Sequence, residues 1–239
     1  MANNYFQFKQ FKINQDGSAM KVGTDGVLLG AWADVSDAKS ILDIGTGTGL
    51  IAIMLAQRTN DNSKLDAVEI DSSSYQQAVN NFEASPWSNR IQAFHASFQD
   101  FVSQQSVKYN LIVSNPPYFI NSLKAKGESR TQARHTDGLP FEDLIEGAKS
   151  LLKPNGKFSV ILPVFEGDYF IRLTRLEGFS LSKRVEVLPN PGKPAKRLLI
   201  ELTLKNVKTI ENQLCVENGQ RHDYSPEYIE LCKDFYLKM

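Results

Sequence analysis

Five short apolar runs, at 41–44, 65–69, 91–95, 111–114 and 157–162, recur along the chain, and stretches with helical spacing lie between them near 49–58, 72–84, 97–102 and 141–152. Strands that are apolar on both faces and alternate with helices predict a parallel sheet covered on both sides. A further helix near 167–176 precedes strands near 179–188 and 197–204, joined by the Pro- and Gly-rich stretch LPNPGKPAK. That linker is too short for a crossover helix, so these two strands should pair antiparallel at the end of the sheet. Upstream, 5–22 reads as short strands around the turn Asn14-Gln15-Asp16-Gly17. The segment 24–33 reads as a helix, with Val27, Leu28, Ala31 and Trp32 at helical spacing and Thr24 or Asp25 placed to cap it. The tail mixes a strand with a helix from Pro226, whose ring suits a first turn. The expected organisation is an N-terminal β-turn and helix extension over 1–38, an α/β core over 39–205 and a C-terminal appendage over 206–239.

Composition narrows the class without naming an activity. At 239 residues, 41% apolar and 23% charged, the chain is that of an ordinary globular protein with one sizeable domain. Its formal net charge is zero, so no global field draws a polyanion. Local cations stand out instead. Residues 121–135 hold Lys124, Lys126, Arg130 and Arg134 against Glu128, and 183–197 hold Lys183, Arg184, Lys193, Lys196 and Arg197 against Glu186. Cys215 and Cys232 are far apart and in no CxxC pairing, which argues against a disulfide framework or a zinc site and for a reducing compartment. The N-terminus lacks the apolar centre of a signal peptide, and no run approaches the ~20 apolar residues of a membrane span. A soluble, cytoplasmic protein without metal is expected.

Three stretches carry candidate chemistry. The first strand runs into Asp43-Ile44-Gly45-Thr46-Gly47-Thr48-Gly49 and then a helix, a place where backbone can approach a ligand beside free helix-end N–H groups. The spacing is G-x-G-x-G, with Leu50 where a dinucleotide loop carries its third glycine, so nicotinamide binding is disfavoured. The second strand ends at Glu69, whose carboxylate can accept from both ribose hydroxyls of a nucleoside cofactor. The fourth ends at Asn115-Pro116-Pro117-Tyr118, where two rings that cannot donate to a ladder stop the strand and stiffen the corner.

Taken together, D-I-G-T-G-T-G, the acid closing strand two and N-P-P-Y closing strand four resemble class I S-adenosylmethionine-dependent methyltransferases, in the branch that methylates amino groups. The stretches FKQFKINQDGSAMKVGTDGVLLGAWA, SPWSNRI, VSNPPYF, ARHTDGLPFEDL and DFYLK are similar, almost end to end, to the bacterial tRNA(Val) adenine N6-methyltransferases. The resemblance implies a Rossmann-like class I methyltransferase fold: a mostly parallel seven-stranded sheet with an antiparallel C-terminal strand and helices on both faces. It implies S-adenosyl-L-methionine as cofactor, cradled by Asp43, Gly45, Gly47 and Gly49, with its ribose on Glu69 and its adenine near Ser97 and Phe98. Thr24 and Asp25 would close over its methionine end. Many relatives carry an acid where Ser97 stands, and this chain departs from them there.

The same resemblance assigns the Asn115 side-chain oxygen and the Pro116 carbonyl to the two hydrogens of a flat, conjugated amine. Pro117 would lock the corner, and Tyr118 would stack on the base. The implied substrate is adenine N6 in tRNA beside the anticodon. Lys124, Arg130, Arg134, His135, Lys193, Lys196 and Arg197 would hold RNA backbone. A monomer is the expected state. The alternatives are methylation of a ribosomal RNA base or a protein glutamine amide, and an inactive RNA-binding protein with the same fold.

Overall fold

A computed structural model describes residues 4–17, 21–117 and 139–239. Strands β1 (Tyr5–Gln7) and β2 (Lys12–Asn14) form a separate antiparallel ribbon. Helix α1 (Thr24–Trp32) leads into β3 (Ser40–Ile44), α2 (Leu50–Arg58), β4 (Lys64–Glu69), α3 (Ser72–Glu83), β5 (Ile91–His95), α4 (Phe98–Gln104) and β6 (Tyr109–Ser114). Beyond 138 come α5 (Phe141–Leu151), β7 (Leu152–Pro163), α6 (Val164–Leu176), β8 (Ser180–Leu188), β9 (Arg197–Thr203), β10 (Ile210–Cys215) and α7 (Pro226–Cys232).

The main sheet has the order β10-β8-β9-β7-β6-β3-β4-β5. Strands β7, β6, β3, β4 and β5 run parallel, and β9 is antiparallel to both β7 and β8. The expected doubly covered sheet is therefore present, with one strand more than seven. The extra strand, β10, joins the edge parallel to β8. Of its residues only Leu214 is buried, so neither an apolar run nor an alternation advertises it in the sequence. The interior strands β9 and β3, by contrast, are buried almost throughout.

Two apolar clusters cover the sheet faces. One holds α1, α2, Phe82 of α3, the N-terminal ribbon and α7; the other holds α4, α5 and α6. Two local details differ from the sequence reading. The ribbon turns at 8–11, closed by Phe8 N–H donating to the Phe11 carbonyl at 2.9 Å, and not at Asn14–Gly17. Phe8 and Phe11 are buried with their rings stacked at 4.6 Å, so aromatic burial sets this turn over Asp-Gly turn propensity. Helix α1 is capped by Gly23 without a side-chain hydrogen bond, not by Thr24 or Asp25.

Candidate functional site

Parallel pairing puts the carboxyl ends of β3, β4, β5 and β6 on one rim, where open α/β sheets bind ligands. The Ser114 hydroxyl donates to the Ile44 carbonyl at 2.9 Å and ties the ends of β6 and β3 together. Beyond Ile44 the chain turns through Gly47 at φ 56° and Gly49 at φ 82°. These two glycines serve different purposes. A Cβ on Gly49 would lie 2.4 Å from Phe82 Cε1, so that glycine lets α3 pack against the start of α2. A Cβ on Gly47 would meet nothing within 4 Å: the loop there faces open space at the rim.

Glu69 is 8% exposed and holds this loop from across the rim. The Gly47 N–H donates to its Oε2 at 2.8 Å, and the Asp71 N–H donates to Oε1 at 2.9 Å. Each oxygen keeps a second acceptor position. Asp71 in turn caps α3 by accepting the Ser74 N–H at 2.8 Å. Below the loop, Asp43 accepts from the Thr46 hydroxyl at 2.6 Å through Oδ2, and its buried Oδ1 has no hydrogen-bond partner. Burial pushes the Asp43 carboxyl up to about 7. The Thr46 hydroxyl and the Ala52 N–H pull it down, and the Glu69 charge adds to the rise.

Ser97 caps α4 through a reciprocal pair in which its Oγ accepts the Asp100 N–H at 3.0 Å and donates to Asp100 Oδ2 at 2.7 Å. Its hydroxyl is thus committed within the chain. The Phe98 ring is buried between α4 and α5, where a Cβ on Gly147 would come within 2.4 Å of it. The ring therefore belongs to the core, at the first turn of α4. Asn115 is half-buried, Pro116 buried and Pro117 exposed, immediately past β6. Tyr118, Lys124, Arg130, Arg134 and His135 lie outside the described residues.

Asp25 and Arg197, expected to serve cofactor and RNA respectively, meet each other: Arg197 Nε donates to Asp25 Oδ2 at 2.7 Å. Thr24 is exposed in the same first turn of α1. The cations of the late hairpin divide. Lys183 pairs with Glu201 and Asp34, and Arg184 pairs with Glu186 and Asp168. Lys193 and Lys196 are exposed and make no ion pair among the described residues.

Sequence reasoning missed Asn81. Fully buried in α3, its amide donates to the Thr48 carbonyl at 2.8 Å and the Asn14 carbonyl at 2.9 Å, and accepts the Asn14 N–H. It joins the glycine loop to the N-terminal ribbon, and an Asn in mid-helix gives no sign of that.

The family model described as "Methyltransferase small domain" matches residues 22–171. The chain belongs to this methyltransferase family. Over its full length it is 48% identical to a Parabacteroides distasonis protein and 49% identical to a Trichodesmium erythraeum protein, each covered completely. Both are named tRNA1(Val) (adenine(37)-N6)-methyltransferase. Among solved structures, a predicted O-methyltransferase of Agrobacterium tumefaciens superposes with a TM-score of 0.70 at 20% identity, covering 88% of this chain and 96% of that one. The Streptomyces achromogenes O-methyltransferase TomG, solved with its cofactor, superposes at 0.53 with 15% identity, covering 75% and 79%. These structures share the fold. Among the described residues no helix is long and apolar enough to cross a membrane, and no cluster of His, Cys, Asp or Glu could hold a metal.

Proposed function

We propose that this protein methylates the exocyclic N6 of adenine 37 in tRNA1(Val), using S-adenosyl-L-methionine. The observation that carries this reading is the end-to-end identity with relatives of that name. The rim fits such a cofactor on its own terms: open space lies over Gly47, and Glu69, fixed by two backbone N–H groups, keeps an acceptor position on each oxygen for a ribose diol. When bound, the cofactor supplies an electrophilic methyl group on sulfonium sulfur.

The chain's own residues do the rest. Asp43, Gly45, Gly47 and Gly49 shape the cradle and Glu69 holds the ribose. Thr24 and Asp25 close over the methionine end, with α1 fixed to β9 through the Asp25–Arg197 pair. The backbone of Ser97 and Phe98 bounds the adenine pocket. At the corner, the Asn115 side-chain oxygen and the Pro116 carbonyl each accept one hydrogen of the substrate amine. That frees the lone pair from conjugation and aims it. Pro117 fixes the corner beforehand, so little ordering remains when substrate arrives. Tyr118 stacks on the base. Lys124, Arg130, Arg134, His135, Lys193 and Lys196 place the RNA backbone. Residues 39–205 form the catalytic core, 1–38 cover the cofactor site, and 206–239 form an appendage. The enzyme works as a monomer in the cytoplasm.

Nucleoside mass spectrometry of tRNA treated with protein and cofactor tests the reading. N6-methyladenine at position 37 of tRNA1(Val) is expected. Label from the cofactor entering a protein or ribosomal RNA instead overturns it.

A further inference from the structure

Between the N-terminal ribbon and α3 lies an open cleft of about 500 Å³, a volume in the range of small-ligand sites. Its walls are Tyr5 and Asn14 from the ribbon and Ser73, Gln76, Gln77 and Asn80 from α3. The ribbon is held there by the backbone: the Ser73 hydroxyl donates to the Gly17 carbonyl at 2.8 Å and the Gly17 N–H donates to Gln77 Oε1 at 3.0 Å. The site opens beside the rim, because Ser73 also bonds Asp71 Oδ1 and the Asp71 N–H bonds Glu69.

The lining is rich in amides and poor in charge. Gln76 Nε2 donates to Asn80 Oδ1 at 3.1 Å, which leaves the Gln76 carbonyl oxygen and the Asn80 amino group to pair outward as one acceptor beside one donor. Gln77 keeps its amino group, and the Asn14 side chain makes no hydrogen bond among the described residues. Asp16 is the one charged side chain on the described wall. Tyr5 is 50% exposed, and Lys12 Nζ sits 5.4 Å from its ring centroid. The described wall offers a free phosphate no cation and one carboxylate, Asp16, and an aliphatic chain leaves the amides unpaired. A nucleobase satisfies all three features, with its edge on adjacent amide donor and acceptor, its face on the tyrosine and its phosphate toward Lys12.

The geometry points to a second nucleotide-binding subsite here, which holds an unpaired base of the RNA substrate other than the one methylated. This deepens the tRNA reading above and rests on it. The subsite fixes the loop on the enzyme while the target adenine enters the Asn115 corner.

The test is fluorescence anisotropy with an anticodon stem-loop RNA carrying the target adenine, alongside calorimetry for cofactor affinity. Tyr5→Ala and the double variant Gln76→Ala/Asn80→Ala should each weaken RNA binding by about tenfold, on the scale of one lost base contact. Tyr5→Phe should keep it, since stacking needs only the ring. Cofactor affinity, and kcat at saturating RNA, should stay at the wild-type value in all three. RNA affinity within twofold of wild type in both Tyr5→Ala and the double variant overturns the subsite. An equal loss of cofactor binding overturns it too, because the ribbon would then be a structural support only. If the wild-type protein binds the stem-loop but leaves its adenine unmethylated, the proposed function fails, and the variants' RNA affinities still decide the subsite. If it fails to bind the stem-loop, or if Tyr5→Ala weakens methylation of a protein instead, the subsite is rejected.

Discussion

The rim of the sheet and the junction of the two chain ends are built by opposite means. At the rim, main-chain groups do most of the holding: Gly47 and Asp71 N–H groups grip Glu69, and three carbonyls, those of Val68, Thr48 and Ile44, anchor the loops around it. At the junction, rings do it. Phe8 stacks on Phe11 and, at 5.9 Å, on Tyr236, while Phe6 meets Tyr236 edge-on. Lys9 adds two bonds from its ammonium to the Lys233 and Met239 carbonyls, and its N–H donates to the Phe235 carbonyl at 2.8 Å. A backbone-built site keeps its shape whatever its surface residues are. A ring-built junction depends on each ring. Disturbing the rim's ligand-facing groups should therefore cost function with little stability, and disturbing the junction the reverse.

The largest effect is expected at the junction. Phe8→Ala removes a fully buried ring and should destabilise the fold by about 3–5 kcal/mol, which for a chain of this size lowers Tm by roughly 10 °C. Cofactor affinity measured on the folded fraction should be unchanged. A variant that melts like wild type would show that the junction does not bear on stability. At the rim, Asn115→Ala should cut methylation on the order of 100-fold or more, the scale of one preorganised polar group, while its melting curve and cofactor affinity stay put. Wild-type turnover would remove the corner from the chemistry.

The two glycines sharpen the comparison within a single loop. Gly49→Ala places a Cβ against the Phe82 ring at a left-handed φ and should destabilise by about 2–4 kcal/mol. Gly47→Ala carries only the backbone strain, about 1–2 kcal/mol, yet it fills the open space over the loop and should weaken cofactor binding the more of the two. Calorimetry on both variants, paired with their melting curves, reads the two effects separately. Equal cofactor losses would mean that the space over Gly47 is not where the ligand lies.

This contrast also explains what could be seen in the sequence. Glycines with positive φ, a carboxylate at a strand tip and a double proline are local constraints, so the rim could be read residue by residue, and the alternation of strands and helices followed from burial period alone. The junction could not, because Lys9 and Phe235 owe their meeting to tertiary folding across almost the whole chain. The turn at 8–11 was misplaced for the same reason: the burial that fixes it comes from the far terminus. Phe98 looked like a rim residue because it follows Ser97, but helical geometry swings its ring into the core against Gly147. The Asp25–Arg197 pair joins residues that the sequence assigned to separate tasks.

Smallest per pH unit is a stability slope that belongs to the rim alone. Burial raises Asp43 from the ordinary carboxylate range to about 7 in the folded protein, so between about pH 4 and 7 the native state holds a proton that the unfolded chain has released. Stability from this group is fully present below about pH 4 and declines as pH rises through that window, by at most about 1.4 kcal/mol per pH unit for one proton. Other carboxylates titrate nearby, so the readout is the difference between wild type and Asp43→Asn, which keeps an oxygen to accept the Thr46 hydroxyl and has no proton to lose. The variant should gain stability relative to wild type as pH rises from 4 to 7 and hold that gain above 7. No junction substitution should reproduce this slope, because the rings there carry no group that ionises in the window. If the difference is flat across it, Asp43 is ionised throughout, and the Thr46 hydroxyl and the Ala52 N–H outweigh its burial.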